Sequence, residues 1–504
     1  MLRNTKANLP RAPGAERLLL LIIAVGIIAK AISFLVLPES AYNDSIYHLN
    51  IIREAVAFQT FSLSIDVPPP AFHAASTSLF AFSGLAIDLF AVKLLPFLLL
   101  LLQLLLGYML FRKIFPENPL PAFAFLVVHP WLTRFGGINY PEALAAVAVM
   151  ASLFLILKMR EEKNPGIPTV LALAVSISII SLSKLNGTIL VPAFFLASIY
   201  VLLKNSAPKK IIVTFAISAI VLSSFWFGLN FINFGVFDQH LEGDISNFGE
   251  GTGFSPASIL ANIQWYYLYF WDFPNASAFS GISFLAGLDI IIPAIAFGAI
   301  VLPLFALLIL GAREIYEKDR LLALLIFSAV LLALVPVVQR TAYYRLIIPA
   351  VPLLAILFGF GFNAAKGHLR TISLVALLLF AGYSFAYTSL SAYQFNGELA
   401  PNAALFEKIS GLPKDSLVLV HGNRTRDVEF FTGIDAVGAT KSTPEFIVDN
   451  ADEFYSSINN LGITHIAVVC YKDPFNKAVL SELEGEGRIA NIFEKDCTGL
   501  FEVR

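Results

Sequence analysis

Clusters of Lys and Arg punctuate this chain at intervals set by apolar stretches long enough to cross a bilayer. That pattern limits the fold more than any other feature. Apolar runs near 20 residues are transmembrane candidates. The basic residues gather at Arg3, Lys6, Arg11 and Arg17; at Arg112 and Lys113; at Lys158, Arg160 and Lys163; at Lys204, Lys209 and Lys210; at Arg313, Lys318 and Arg320; and at Lys366, His368 and Arg370. Lys and Arg accumulate on the cytoplasmic side of short loops. If every cluster faces the cytoplasm, the spans between them must come in pairs, and they do: 18–37 with 90–111, 119–133 with 143–158, 168–183 with 187–203, 210–232 with 286–311, 321–338 with 346–365, then 370–390 alone. These are about eleven helices, an odd number, so the chain after 390 is expected outside. The composition agrees: 57% hydrophobic and 14% charged over 504 residues, where a soluble chain carries about a quarter charged. Residues 18–37 are long enough to span and lack a convincing small-residue cleavage site, so they read as a retained first helix.

Residues 72–87 are apolar enough for a short span. Counting them would reverse the sidedness of everything downstream, so they read as an interfacial helix. The expected outward segments are the loop 38–89, 134–142, the surroundings of Lys184, the loop 233–285, 339–345 and everything from 391 onward. The membrane domain is expected over 1–390 and a soluble extracytoplasmic α/β domain over 391–504. There, Leu417–His421 and Ile463–Cys470 are short β-branched runs that read as buried strands. Thr443 to Asn460 has the opening and spacing of a helix. Strands alternating with helices suggest a small α/β domain. Both cysteines, Cys470 and Cys497, fall in it, and an extracytoplasmic space permits a disulfide as readily as two buried thiols.

Polar residues recur at the outward ends of several helices. Asp44 opens the first outward loop, ahead of an Ile-Tyr-His-Leu run that also suits a helix N-cap. Arg134, Asn139 and Glu142 follow the third span, Lys184 ends the fifth, and Gln339, Arg340 and Arg345 lie between the ninth and tenth. Lone charges near a membrane surface are ordinary because long side chains snorkel. Cations gathered on the side where the positive-inside bias depletes them are not, and an anionic headgroup would explain them. Glu142, beside Pro141, also fits a first-turn helix acid. Arg345 with Tyr344 also fits an interfacial anchor. His48 and His73 are lone histidines, and no ligand spacing makes them a metal site with Asp44. The 233–285 loop is rich in aromatics, from Phe234 through Trp265 and Trp271 to Phe273, which suits a sugar platform or plain membrane anchoring. No Walker motif, dinucleotide fingerprint, zinc motif or nucleophile elbow occurs, and nothing points to nucleic acid.

In this order and sidedness the motifs resemble the GT-C superfamily of membrane glycosyltransferases. The likeness is greatest to the branch holding protein O-mannosyltransferases and the lipid A aminoarabinose transferase. Asp44 matches the loop acid, with Ser45 where a second acid is common, and Pro69-Pro70-Ala71-Phe72 resembles the Pro-Pro-aromatic segment. Glu142 stands for the second acidic residue. Leu182-Ser183-Lys184 and Arg345-Leu346 with Pro349 and Pro352 are similar to the later motifs. The resemblance implies an inverting transfer of a sugar from a polyprenyl or dolichyl phosphate to a lipid, glycan or protein hydroxyl. Asp44 and Glu142 would be the catalytic acids, Arg345, Lys184 and Arg134 would hold the donor phosphate, and His48, His73 and Tyr344 would bind substrate. A lipid phosphate leaves as a stable anion, so the transfer does not by itself demand a metal, but the superfamily includes metal-dependent members and a divalent metal stays open. The competing class is a transporter or flippase, which usually places charges near the midplane and on internal repeats.

Overall fold

The computed structural model describes residues 13–36, 43–58, 70–84, 91–162, 165–183, 185–235, 297–338, 344–421, 424–439, 450–469, 477–495 and 497–504. The chain divides into two compact units, one of residues 1–35 and 61–389, the other of residues 36–60 and 390–504.

The first unit is helical. Its helices are α1 (Pro13–Val36), α3 (Ala71–Ser83), α4 (Leu94–Ile114), α5 (Leu120–Val128), α6 (Pro130–Phe135), α7 (Pro141–Glu161), α8 (Ile167–Ser183), α9 (Val191–Lys204), α10 (Lys209–Phe234), α11 (Leu302–Lys318), α12 (Arg320–Val338), α13 (Val351–Ala364) and the first part of α14 (Gly367–Ser410). Among the described residues, eight helical segments are long and apolar enough to cross a membrane, and 167–183 and 320–332 are shorter apolar helices. Every span expected from the sequence contains helix, with one correction. The 119–133 stretch is not a single span: α5 has nine residues and stops at His129, whose backbone is extended (ψ 120). Proline disfavours the helical region for the residue before it, so Pro130 ends α5 and then opens α6 from its own first position. The 13 residues of α3 reach about 20 Å at helical rise, well short of a hydrocarbon core of about 30 Å.

Polar contacts gather the basic ends of the helices at one end of this bundle. Lys113 pairs with Glu161 at 2.5 Å and Arg160 with Asp319 at 2.5 Å. Asn205 donates to the Met159 and Glu162 carbonyls at 2.5 and 2.8 Å, and Asn118 to Asn363 Oδ1 at 2.8 Å. Asp319 also accepts from Leu321 and Leu322 N–H groups, capping α12. This alternation is what the paired spacing of the clusters demands. Glycines bring α11 and α13 into backbone contact: a Cβ on Gly361 would lie 1.9 Å from the Leu307 carbonyl oxygen. Small residues at helix interfaces serve packing in membranes, where apolar burial drives little association.

The second unit holds α2 (Asn43–Phe58), the end of α14, α15 (Thr425–Thr432), α16 (Ala451–Asn460), α17 (Lys477–Gly485) and strands β1 (Leu417–His421), β2 (Asp435–Ala439), β3 (His465–Val468), β4 (Ile489–Lys495) and β5 (Thr498–Val503). The sheet order is β2-β1-β3-β5-β4. Strands β2, β1 and β3 pair in parallel, and β5 runs antiparallel to both its neighbours, β3 and β4. Both faces are covered, as a mainly parallel sheet requires. Leu419, Ile466 and Phe501 pack with Phe454 and Ile458 of α16 and Leu480 and Leu483 of α17. Val418, Val420 and Ala467 pack on the other face with Leu405 and Ile409 of α14 and Val428 of α15. Helix α16 starts at Ala451, where Asn450 accepts from the Asp452 and Glu453 N–H groups; the expected Thr443 opening lies outside the described residues. Cys497 is in a disulfide, and the other cysteine, Cys470, lies outside the described residues.

Candidate functional site

In the first unit, the site elements follow from two glycines and two prolines. After α6, the Gly136-Gly137 turn lies against α1. A Cβ on Gly137 would stand 2.5 Å from Ser33 Oγ and 2.8 Å from the Phe34 nitrogen, so a larger residue would force the turn away. Lys93 Nζ donates to the Gly137 carbonyl at 2.9 Å, and Asn139 Nδ2 to the Val92 carbonyl at 2.9 Å. Pro141 then opens α7 and puts Glu142 in its first turn. Glu142 is fully buried, unlike a solvated helix-start acid. The 3-10 turn Tyr344–Ala350, which carries Arg345, packs against α6, α7 and α12, and α3, which carries the fully buried His73, packs against α7 and α8.

The structure thus brings the backbones bearing His73, Arg134, Glu142, Tyr344 and Arg345 together around α7. The side chains of Arg134, Tyr344 and Arg345 lie outside the described set, as do residues Lys184, Gln339, Arg340 and nearly all of the aromatic 233–285 loop. Asp44 stands in the first turn of α2 and His48 one turn further on, buried. Both belong to the second unit, and the Asp44 side chain is likewise outside the described set. Among the described residues, no three His, Cys, Asp or Glu side chains group as a metal-binding set.

One candidate went unread in the sequence. Lys30 lies inside the apolar run of α1, 3% exposed, and its Nζ has no hydrogen-bond partner among the described residues. Gly26, one turn before it, lies against Val127 and Val128, and Ser33, one turn after it, lies against Gly137. Lys30 therefore faces the α5–α6 break, within electrostatic reach of the buried His129. His129 itself sits between the rings of Phe125 and Phe380, at 5.7 and 6.1 Å. A lysine interrupting a 20-residue apolar run is the signal that would have found it.

In the second unit, Arg424 and Asp427 form a buried ion pair at 2.7 Å. Burial pushes the Asp427 carboxyl up to about 6, against the opposing charge and hydrogen bond of Arg424. The unfolded chain would lose this proton near 3.8. The folded state therefore holds the extra proton between the two values, and the stability owed to this group falls as pH rises through that window. The melting temperature of Asp427→Asn should gain on wild type as pH rises from about 4 to 6 and stay level above. A gap that does not change with pH would show an unshifted carboxyl.

By fold, the chain is similar to ArnT from Cupriavidus metallidurans. The apo crystal structure gives a TM-score of 0.58 at 14% identity, covering 97% of this chain and 98% of that one. The crystal structure bound to undecaprenyl phosphate gives 0.57 at 12% identity, covering 96% and 97%. The archaeal oligosaccharyltransferase AglB from Archaeoglobus fulgidus, in complex with an inhibitory peptide and a dolichol-phosphate, gives 0.48 at 12% identity, covering 90% and 69%. No family model and no curated protein sequence matches the chain. ArnT is an aminoarabinose transferase of the GT-C superfamily, and the likeness over almost the whole chain is a likeness of fold.

Proposed function

We propose that this chain, a multi-pass membrane protein of GT-C fold, is an inverting glycosyltransferase. It would move a sugar from a polyprenyl or dolichyl phosphate to an acceptor hydroxyl at the extracytoplasmic face. The observation that carries this reading is the fold shared with ArnT over 97% of the chain, in a protein whose bound form holds undecaprenyl phosphate.

The chemistry needs few groups. The acceptor oxygen attacks the anomeric carbon from the side opposite the phosphate. The anomeric C–O bond to phosphate breaks, its electron pair stays on the phosphate oxygen, and the hydroxyl proton passes to Asp44. A hydrolytic glycosidase needs a second carboxyl to protonate its leaving alkoxide. A lipid phosphate leaves as a stable anion and needs cations instead. Arg345, Lys184 and Arg134 are read in that role, and Lys30 joins them. A buried amine with no hydrogen-bond partner among the described residues is costly in a membrane, and a bound phosphate would supply one. Glu142, buried beside the Gly137 turn, is read as an acid that shapes this region, and His48, His73 and Tyr344 as substrate contacts.

The test is donor turnover. Purified protein is reconstituted with a panel of polyprenyl- and dolichyl-phosphate sugars and membrane extract as acceptor, and mass spectrometry follows free lipid phosphate. Release from at least one donor is expected. Silence with every donor, beside active controls, would overturn the transferase reading in favour of transport.

A further inference from the structure

The helix that carries Asp44 is bound to the sheet domain 376 residues away in sequence. Helix α15 ends at Gly433, in the left-handed region (φ 66), whose N–H bonds the Glu429 carbonyl. The last carbonyls of a helix lack partners within it and carry the negative end of its dipole. Arg53 of α2 meets that end. Its Nη1 donates to the Phe430 carbonyl at 3.0 Å, and both Nη1 and Nη2 lie 3.4 Å from the Glu429 carbonyl. Its guanidinium also lies 5.3 Å from the Phe430 ring centroid. At the other end of α15 the partners exchange roles: the Arg426 guanidinium lies 4.2 Å from the Tyr47 ring centroid, and Asn50 Nδ2 donates to the Arg426 carbonyl at 3.4 Å.

Tyr47, Asn50 and Arg53 thus recur every three residues along α2, each held by a different part of α15. The Glu429 carboxyl interacts with the charges of both Arg53 and Arg426, which lowers the cost of bringing two cations into one contact. Planar guanidinium groups suit this use, since they stack on rings and donate as a fork. A contact fixed at both ends restrains rotation and sliding of α2 as well as its distance. Ser45, Ile46, Leu49 and Ile52 of the same helix are buried, so α2 is a packed element and not a free loop helix.

We propose that α15 of the C-terminal domain is a positioning device for α2, with Arg53 and Arg426 as positioning residues that set the rate of sugar transfer without touching substrate. This rests on reading Asp44, one turn before Tyr47, as the base. A general base must lie within hydrogen-bond reach of the proton it takes, and a misplacement of about 1 Å costs about 10²-fold in rate. The C-terminal domain would then act on kcat through the register of one helix.

The experiment uses the full-length protein in detergent or nanodiscs. Arg53→Met keeps the aliphatic stem and removes the donors, and Arg53→Lys restores charge without the fork. Tyr47→Ala, Arg426→Ala and their double variant form a cycle across the contact. For Arg53→Met, kcat should fall by about 10²-fold with the donor KM unchanged, Arg53→Lys should recover part of it, and amide exchange over 46–58 should rise. The Tyr47/Arg426 double variant should be no worse than the more damaged single one. Raised exchange with full kcat would overturn the positioning role, as would unchanged exchange and unchanged kcat. A general loss of melting temperature with equal damage to kcat and KM would show a merely structural contact and also overturn it. If the wild type itself turns over no donor, the glycosyltransfer reading fails. That case is distinguishable because silence then precedes any substitution.

Discussion

Asp44→Asn is expected to lower donor turnover by about 10²- to 10⁴-fold, the range a positioned general base contributes, while donor binding is retained. The carboxamide matches the carboxylate in shape but cannot take a proton. A phosphate leaving group requires no general acid, so no other group has to be protonated for the step to proceed. The loss should therefore fall on one proton transfer. Initial rates of lipid-phosphate release, with donor titrations and a melting curve for each protein, check this. Turnover by a folded Asp44→Asn within about twofold of wild type would remove Asp44 from the mechanism, since a true base cannot be lost so cheaply.

Much of the fold is legible in the sequence because its signals are one-dimensional. The apolar spans follow from length and hydropathy, and the spacing of basic clusters anticipates the shared end where Lys113, Arg160 and Asp319 meet their partners. The C-terminal α/β domain announces itself in Leu417–His421 and the run ending at Cys470. What was missed has physical reasons. Pro130 acts on the residue before it, so a span that looks continuous by hydropathy breaks at His129. Strand β2 is an Asp-Ala-Val-Gly-Ala stretch with little β-branching, and β4 and β5 mix few β-branched residues with Asn, Gly, Glu and Lys, so only their pairing makes them strands. The docking of α2 on α15 joins residues about 376 positions apart, and no local pattern encodes it. Glu142 was readable as a helix-start acid, and only its complete burial sets it apart from one. Lys30 leaves little trace in the sequence because a single charge barely lowers the hydropathy of the run that contains it, although an ionisable residue within such a run is expensive.

Lys30→Met is expected to separate stability from function. Methionine keeps the length and flexibility of the lysine stem and removes the amine. If Lys30 only fills space, the variant is more stable and otherwise unchanged. An unsatisfied buried polar group costs about 1–3 kcal/mol by mutational measures, so the melting temperature should rise or hold. If Lys30 receives a phosphate, the same variant loses a charge-assisted hydrogen bond worth about 1.5–3 kcal/mol, and affinity for undecaprenyl phosphate falls by about 10- to 100-fold. Stability gained together with binding lost is the signature of a residue retained for its ligand, because functional sites hold destabilising groups that packing alone would discard. Ligand-induced stabilisation supplies an independent readout: saturating lipid phosphate should raise the wild-type melting temperature and leave Lys30→Met nearly unmoved. Inorganic phosphate and undecaprenol serve as separate probes. A response to inorganic phosphate alone would make Lys30 a site for the anion regardless of its lipid, and a response to undecaprenol alone would place the affinity in the chain and exclude Lys30 from it. Equal lipid-phosphate affinity in wild type and a well-folded Lys30→Met would remove Lys30 from the donor site, leaving Arg134, Lys184 and Arg345 as the cations to test.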